Sequence, residues 1–546
     1  MLKASPNQAP AASFRAVLLS ILCFFALGDG SDTPLAATNA ALPRGHDFFK
    51  ADFEGTSVPS GWSGTAKPGP GYGSAQSLCV EHLPGSSGSS AVASVVLPAE
   101  SMRGCTVYGT AMIKAEKVSA KPNDWNGVKF MLAVEAPSGK SWPAATIEAG
   151  TFDWRLVRFS GRIPPDATNV MLVLGLEEVT GKTWFDNVRI YVGKSPRMTT
   201  DFVKSATPYK GHTLRRLRGA MVSPSIDLAG LKTFGQDWNA NLIRWQLVRY
   251  LPAGKTASLE EYDAWLEGEL KKLDASLLEC ERSGLRVVVD LHSPPGGQAT
   301  VSGYVGSDGG LFTSPGAQQK FIQVWERMAH RYKNSKPVWG FDLANEPVEG
   351  AVADDCKDWH ELAETTANAI HAIDPDRTII LEAPDWGSPD TFRNFDPINA
   401  SNVVYSVHMY VPMELTHQGV FKNGPPVVYP GAIDGEYWDK ARLETVLKPV
   451  LDFQRKYGVH IYVGEFSAIR WAPQNSGYRY LKDVIDLFES YGWDWSYHAF
   501  REWSGWSVEH SEDRQNNQPS ATPTDRQKLL QEWFSKNQKP ELKQAP

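Results

Sequence analysis

The chain has 546 residues, which is too many for one ordinary domain. Hydrophobic residues make up 42% and charged residues 21%, a globular rather than a disordered composition. The formal net charge is −7 with both signs interspersed, which argues against a polyanion-binding surface, so we expect no nucleic-acid partner.

The N-terminus has the order of a secretory signal. Lys3 and Arg15 precede residues 16–27, an apolar run without charge. This pattern predicts a signal peptide over residues 1–30 and a secreted protein, with a periplasmic or N-terminally anchored protein as alternatives. Residues 31–45 are small and polar without periodicity, which predicts a flexible leader.

Four cysteines remain after the predicted signal, and in an exported chain they allow three pairings. They are Cys79, Cys105, Cys280 and Cys356. If a disulfide forms, we expect Cys79 to pair with Cys105, because both lie in one short β-rich region. Four buried thiols are the alternative.

Residues 46–193 consist of short β-type runs between clusters of Gly, Pro and Ser. Residues 105–113, 128–134 and 183–192 are examples. Closely spaced strands bounded by turn residues predict an all-β jelly roll or β-sandwich. Residues 194–213 contain two prolines and no clear period, which predicts a linker.

From residue 214 the pattern alternates between apolar strands and amphipathic helices. The predicted strands are 218–222, 241–247, 286–292, 339–345, 378–382, 403–408, 461–465 and 495–500. Eight such repeats predict a parallel (β/α)8 TIM barrel over residues 214–537, followed by a tail at 538–546. A doubly wound open sheet is the alternative. No Gly-rich phosphate turn follows the first strand, so we expect no cofactor.

Six of the eight predicted strands end in polar residues, and Trp503 lies just beyond the eighth. The polar residues are Arg244, His292, Asn345 with Glu346, Glu382, His408 with Tyr410, and Glu465. In a barrel all of them converge on one mouth, where barrel enzymes place their chemistry. Strands four and seven face each other, so Glu346 and Glu465 are expected to oppose one another, as in glycoside hydrolysis. Metal-ligand spacing is absent from the scattered His, Asp and Glu, so we expect no metal.

These strand ends make residues 214–537 resemble glycoside hydrolase family 5, the cellulase-type retaining barrel. The matching residues are Arg244, His292, Asn345-Glu346-Pro347, His408-x-Tyr410 and Gly464-Glu465-Phe466. The resemblance implies that Glu346 is the general acid/base and Glu465 the nucleophile. It also implies that Asn345 lies near the sugar 2-hydroxyl, that Arg244 and Tyr410 orient the nucleophile, and that His292 and His408 complete the sugar pocket.

Tryptophans are the second group of candidate ligand contacts, because flat aromatic faces suit sugar rings. Members of the family usually carry a floor tryptophan after the eighth strand. Trp503 is our prediction for it, with Trp495 and Trp506 as alternatives. Trp386, in the loop after the fifth strand, is either a stacking platform or a loop anchor.

The β-rich region resembles a carbohydrate-binding module. The resemblance rests on Asp52-Phe53-Glu54-Gly55, on residues 150–154, and on the closing run at 184–190. Its sugar-stacking candidates are Trp62, Trp125 and Trp142, with a purely structural role as the alternative.

We therefore predict a monomeric enzyme that acts on a polysaccharide or oligosaccharide. The expected substrate is a β-1,4-glucan cut internally. Mannan, xyloglucan, β-1,3-glucan and exo-action remain open, because loops at residues 298–312 and 411–438 shape the subsites. A catalytically silent carbohydrate-binding protein is the alternative from another class.

Overall fold

The computed structural model describes residues 42–123, 125–195, 204, 207–250, 258–297, 310–350, 352–420 and 424–541. The predicted signal, most of the predicted leader, part of the predicted linker, residues 298–309 and residues 542–546 lie outside this description. The chain divides into two compact units at residue 198, and residues 350–354 are counted with the first unit. None of the described helices is long and apolar enough to cross a membrane.

The first unit is built from eleven described strands and one short helix, α1 (Ala99–Met102). The strands are β1 (Asp47–Ala51), β2 (Ser63–Gly64), β3 (Lys67–Gly69), β4 (Ser77–His82), β5 (Ser90–Val96), β6 (Thr106–Val118), β7 (Gly127–Ala136), β8 (Gly139–Ser141), β9 (Gly150–Arg162), β10 (Asn169–Glu177) and β11 (Gly181–Lys194).

These strands form two antiparallel sheets, in the orders β3-β4-β11-β6-β9 and β2-β5-β10-β7-β8, and β1 also pairs with β11. Alternate residues of each long strand point into one shared core, which includes Ile113, Phe130, Leu174 and Phe185. The predicted β-rich N-terminal region is therefore confirmed as a β-sandwich.

The two cysteines of this unit do not form the disulfide that we expected. Cys79 and Cys105 are both free and buried, as are Cys280 and Cys356. Cys79 lies on β4 and Cys105 immediately precedes β6, and β11 runs between those two strands. A strand that separates two others holds their residues about two strand spacings apart, beyond the reach of an S–S bond. Burial raises the pKa of both thiols.

The second unit alternates strands and helices. Its strands are β12 (Arg218–Val222), β13 (Leu242–Gln246), β14 (Arg286–Asp290), β15 (Val338–Asp342), β16 (Thr378–Glu382), β17 (Val403–Met409), β18 (Gly431–Ile433), β19 (Glu436–Trp438), β20 (Ile461–Phe466) and β21 (Asp494–Phe500). Its α-helices are α2 (Leu228–Lys232), α3 (Leu259–Arg282), α4 (Pro315–Tyr332), α5 (Trp359–Ile373), α6 (Met413–Thr416), α7 (Lys440–Tyr457), α8 (Ser476–Tyr491) and α9 (Asp525–Phe534). A π-helix at Thr233–Asp237 and a 3-10 helix at Pro389–Arg393 complete them.

Eight parallel strands close the predicted barrel in the order β12-β13-β14-β15-β16-β17-β20-β21, which confirms the TIM barrel. The hairpin of β18 and β19 lies in the loop after β17. Most of the long helices begin at a polar residue whose side chain accepts a backbone N–H of the first turn, which fixes where each begins. Those residues are Ser258, Ser314, Asp358, Asp439 and Thr524.

The layer of side chains nearest the amino-terminal end of the barrel interior is apolar. It is formed by Leu217, Leu242, Val288, Trp339, Ile380, Val404 and Tyr462. Because strand side chains alternate in direction, the next inward-facing layer toward the carboxyl ends carries the polar residues of the site.

Residues 209–214 close the amino-terminal end of the barrel, although the sequence pattern placed residues up to 213 in a linker. Tyr209 and Leu214 pack against the apolar layer, and the Tyr209 hydroxyl lies 2.9 Å from Thr378 Oγ1. His212 and His460 each place Nε2 2.7 Å from Asp494 Oδ2. Residues 209–214 are part of the barrel fold, because they cover its apolar side chains and form hydrogen bonds with Thr378 and Asp494.

Candidate active site

Arg244 is the centre of the polar layer. It is fully buried on β13, and its guanidinium contacts one oxygen of each of four carboxylates on four other strands. These contacts are to Asp290 (3.1 Å), Asp342 (3.0 Å), Glu382 (3.0 Å) and Glu465 (2.5 Å). The planar guanidinium has five N–H donors, so it serves several acceptors that a point charge could not.

Glu465, on β20, is held at both carboxylate oxygens. Arg244 Nη1 donates to Oε1, while the Tyr410 hydroxyl donates to Oε2 at 2.8 Å. His498 Nδ1 lies 3.2 Å from Oε2. Burial alone raises the pKa of this carboxyl, but the positive charges of His408, His498 and Arg244 outweigh it. The pKa of Glu465 therefore lies well below its usual range, and the group is an anion at neutral pH.

Glu346 lies just beyond β15 in a left-handed backbone conformation, with φ of 45°. Its backbone N–H donates to Glu382 Oε2 at 2.8 Å, which fixes this uncommon conformation. His408 Nδ1 lies 3.0 Å from Glu346 Oε1. Burial raises the pKa of Glu346, and the opposing effect of His408 is smaller, so this carboxyl retains its proton to higher pH than an exposed glutamate.

The two glutamates therefore form a pair with opposite protonation preferences. An oxygen of Glu346 and an oxygen of Glu465 lie within 4.8 Å of one another. A glycosidase that inverts configuration needs room for a water molecule and separates its carboxyls by about 6.5–9.5 Å, whereas about 5–5.5 Å is typical of retaining enzymes. A protonated carboxyl facing an ionised one at this distance can donate a proton to a leaving oxygen while the other attacks carbon.

His408 lies between three carboxylates. Its Nε2 is 3.1 Å from Glu382 Oε1, and its Nδ1 faces both Glu346 and Glu465. Burial alone lowers the pKa of this imidazole, but Glu382 and Glu465 raise it well above its usual value. Glu346, His408 and Glu465 each present one side-chain oxygen or nitrogen within 4.8 Å of the others.

The remaining predicted polar residues also lie in this layer. Asn345 Oδ1 accepts from Arg244 Nη2 at 3.1 Å, and His292 Nδ1 is 2.7 Å from Asp290 Oδ2. Burial lowers the pKa of His292, but the effect of Asp290, which raises the pKa, is larger, so the net shift is upward. The structure thus brings Arg244, His292, Asn345, Glu346, His408, Tyr410 and Glu465 to one mouth, while their individual roles stay predictions.

The predicted tryptophans lie at different distances from this centre. Trp495 is fully buried near the start of β21, where it stacks on Phe534 at 5.6 Å and donates a hydrogen bond to Glu489, which is not one of the site's carboxylates. Trp503 is half-buried, edge-on to Trp471 and Trp506. Trp506 is buried against Tyr410, His417 and His498.

Trp386 is half-buried beside the site. It lies in the loop after β16 with a positive φ of 63°. Gly387, the next residue, accepts the His408 N–H at 2.9 Å through its carbonyl, so the loop touches the polar layer. The stacking roles proposed for Trp386 and Trp503 stay predictions.

Four charged residues of the polar layer were not predicted from the sequence. They are Asp290, Asp342, His498 and Glu502. Asp342 is the last residue of β15 and lies beside Asp290 of β14 in the parallel register. A charged residue in an otherwise apolar barrel strand was the available signal. His498 and Glu502 lie among the tryptophans of the eighth strand and the loop after it, and no motif marks them. Only the fold shows that His498 of β21 reaches Glu465.

The chain is similar to several known proteins. The family model described as Cellulase (glycosyl hydrolase family 5) matches residues 205–507. Endoglucanase C of Acetivibrio thermocellus is 30% identical over 262 residues, covering 42% of this chain and 73% of that protein. Cellodextrinase A of Ruminococcus flavefaciens is 25% identical over 230 residues, covering 42% of this chain and 66% of that protein. The crystal structure of endoglucanase Cel5A from Thermotoga maritima superimposes with a TM-score of 0.44 at 21% identity, covering 57% of this chain and 96% of that one.

Proposed function

The chain belongs to glycosyl hydrolase family 5, and we propose that it is a retaining, endo-acting β-1,4-glucanase. As a family member it is a glycoside hydrolase that acts on a polysaccharide or oligosaccharide. The internal cleavage of a β-1,4-glucan is supported by relatives named endoglucanase, one of them 30% identical over 262 residues.

The proposed reaction is a double displacement by the two glutamates. Glu465 attacks the anomeric carbon while Glu346 gives its proton to the departing glycosidic oxygen, which leaves a glycosyl ester on Glu465. Glu346 then removes a proton from water, the water oxygen attacks the same carbon, and the ester bond to Glu465 breaks. The observation that carries this proposal is that Glu346 and Glu465 face each other with oxygens within 4.8 Å. The raised pKa of Glu346 and the lowered pKa of Glu465 agree with their roles.

The other residues support charge and orientation in this scheme. Arg244 and Tyr410 hold the nucleophile at its two oxygens. His408 and His292 are proposed to complete the sugar pocket, and Asn345 is positioned by Arg244 for a sugar hydroxyl. Trp503 is proposed to form the floor of the cleavage subsite, and Trp386 to be a stacking platform for the glucan.

A substrate panel tests the proposed specificity. Carboxymethyl-cellulose, mannan, xyloglucan and laminarin are compared at equal enzyme concentration, and viscosity is followed together with reducing ends. We expect the fastest cleavage on carboxymethyl-cellulose, with viscosity falling early. Faster cleavage of mannan, xyloglucan or laminarin assigns the enzyme to that substrate, slow viscosity loss indicates exo-action, and inactivity on all four indicates a carbohydrate-binding protein without catalysis.

The sandwich unit is proposed to bind the same polysaccharide. Among the three tryptophans that we expected to stack on sugar, Trp62 packs on Phe49 and Phe53, and Trp142 packs on a small apolar cluster. Another aromatic pair lies elsewhere: Tyr72 is 45% exposed, and its ring centroid is 6.0 Å from that of Trp154 on β9, which is half-buried. Two neighbouring rings suit successive sugar faces.

Retention on insoluble cellulose tests this role. The full chain with Glu465→Ala, which cannot degrade the matrix, is compared with the same chain carrying Tyr72→Ala in addition. We expect the second protein to elute earlier, and equal retention contradicts the proposal. Export is proposed from the sequence of residues 1–30 alone, and N-terminal sequencing of the mature protein tests it.

A further inference from the structure

His498 and Glu502 form a charged pair beside the proposed nucleophile. The His498 side chain comes from β21, and its Nδ1 is 3.2 Å from Glu465 Oε2. The same nitrogen is hydrogen-bonded to the Tyr410 hydroxyl. The other ring nitrogen, Nε2, is 3.0 Å from Glu502 Oε2. Neither residue has a place in the double displacement described above.

The contacts of His498 are compatible with one protonation state. An ionised Glu502 needs a donor at Nε2, because a carboxylate only accepts hydrogen bonds. On the other side, Tyr410 already donates its single proton to Glu465. Nδ1 therefore faces a carboxylate oxygen and a phenol oxygen, both of which require it to carry a proton. A neutral imidazole would turn its lone pair toward the Glu465 anion.

Burial and charge agree with the hydrogen-bond pattern. The side chains of His498 and Glu502 are 16% and 20% exposed. Burial alone lowers the pKa of His498, but Glu465 and Glu502 raise it to about 10. Burial raises the pKa of Glu502, but the effect of His498, which lowers the pKa, is larger. The net shift is downward, so Glu502 is an anion.

The groups that face His498 come from several elements. They are Glu465 of β20, Tyr410 after β17, His417 after α6, Trp506 and Glu502. His417 adds no charge at neutral pH, because burial and the neighbouring His498 lower its pKa to about 3. His498 is therefore the nearer of two cations on the Oε2 side of Glu465, at 3.2 Å against 3.9 Å for His408, while Arg244 contacts Oε1.

We propose that His498, kept positively charged by Glu502, is a positioning residue that holds Glu465 ionised and fixes its Oε2 for attack. The proposal rests on the proposed function, in which Glu465 is the nucleophile. His498 acts through Glu465 and Tyr410, so its loss lowers kcat, while KM for the glucan changes little.

Two substitutions test the charges of His498 and Glu502 while keeping side chains of similar size. His498→Gln retains a hydrogen-bond donor but removes the positive charge 3.2 Å from Glu465. Coulomb's law at that distance gives a rise of about one unit in the pKa of Glu465 even at the dielectric constant of water. We expect the acid limb of kcat/KM to move up by at least that amount, and kcat to fall about 10- to 100-fold.

Glu502→Gln removes the charge that keeps His498 protonated. A raised histidine pKa means that the positive charge is present below that pKa and disappears as pH rises through it. Without Glu502 the pKa of His498 falls from about 10 by at least about one unit. Ionisation of Glu346 already lowers kcat/KM on the alkaline side, and deprotonation of His498 lowers it again at higher pH. We expect this second decrease to begin at a pH lower by a similar amount, with activity near pH 6 close to that of the unaltered enzyme.

Glu509→Gln is the matched control, because Glu509 pairs with Arg501 in the same segment but outside the site. Its pH profile is expected to be unchanged. A profile of His498→Gln and Glu502→Gln that matches this control, or a rise in KM alone, overturns the proposal.

Mass spectrometry of the unaltered enzyme separates this outcome from failure of the proposed function. The enzyme is treated with an activated 2-deoxy-2-fluoro-β-cellobioside, which is expected to leave a glycosyl ester on Glu465. If Glu465 is labelled but the pH profiles do not move, the inference on His498 fails and the proposed function stands. If no label is found on Glu465, both are overturned.

Discussion

Replacing Arg244 by lysine tests whether the geometry of the guanidinium, rather than its charge, organises the site. Arg244 contacts the carboxylates of Asp290, Asp342, Glu382 and Glu465 and the side-chain Oδ1 of Asn345. Lysine keeps one positive charge but has three N–H donors on a single nitrogen. At least two of the five contacts must therefore be lost in Arg244→Lys.

The magnitude follows from the kind of contact that is lost. A hydrogen bond to a charged group contributes about 1.5–3 kcal/mol, so two of them amount to about 3–6 kcal/mol, shared between folding stability and catalysis. If about 3 kcal/mol of this appears in the activation barrier, kcat falls about 150-fold. We also expect the melting temperature to decrease by several degrees.

The pH dependence of folding stability in acid is a second measurement, and the direction of its change can be predicted. The pKa of Glu465 is depressed in the folded protein, so this group contributes stability above its unfolded pKa and loses it as pH falls through the folded value. A weaker partner in Arg244→Lys raises the folded pKa, and the variant should lose stability at a higher pH than the unaltered protein.

Steady-state kinetics on carboxymethyl-cellulose and thermal unfolding across pH measure both effects. Arg218→Lys is the control, because Arg218 is a buried arginine that pairs with Glu489 away from the carboxylates of the site. It should lose stability and retain kcat. If Arg244→Lys retains the kcat and pH profile of the unaltered enzyme, the reasoning about the guanidinium is refuted.

Three further predictions follow from the site and the fold. The pH profile of kcat/KM should be bell-shaped. Activity should fall on the acid side as Glu465 is protonated, below the ordinary glutamate pKa of about 4.3, and on the alkaline side as Glu346 ionises, above that value. If both decreases occur near about 4.3, the assignment of charges to the two glutamates is contradicted. Glu346→Gln should lower kcat on glucan about 100- to 10,000-fold, while an aryl cellobioside with an activated leaving group still gives a burst of phenol; equal losses on both substrates contradict the acid role. Gly211→Ala should lower the free energy of unfolding by about 2–4 kcal/mol without changing the pH profile, because its Cβ would lie 2.0 Å from Thr378 Oγ1 at a φ of +67°; an unchanged melting curve contradicts the tight packing of residues 209–214.

The barrel was predictable because its strands are short apolar runs and its reactive residues end them. The apolar pattern at residues 338–347 predicted both a buried strand and the location of Glu346. The structure ends β15 at Asp342 and places Glu346 four residues later in a left-handed turn. The sequence pattern cannot show that turn, because it depends on the Glu382 carboxylate that accepts the Glu346 N–H.

The charged interior of the barrel was less predictable. Asp290 and Asp342 become neighbours only through the parallel register of β14 and β15. His498 lies within the eighth strand, and its distance from Glu465 depends on how that strand closes the barrel. The cysteine pairing was missed for a related reason, since strand order in the sandwich inserts β11 between the strands near Cys79 and Cys105.

Glu465→Ala is the most direct test of the proposed double displacement. The variant is assayed on an aryl β-cellobioside with and without azide, and the product is examined by NMR. We expect almost no turnover without azide, and rescue by azide that gives the α-cellobiosyl azide, because the small anion attacks from the side that Glu465 has vacated. A β-cellobiosyl azide, or turnover equal to that of the unaltered enzyme, would contradict the assignment of Glu465 as the nucleophile.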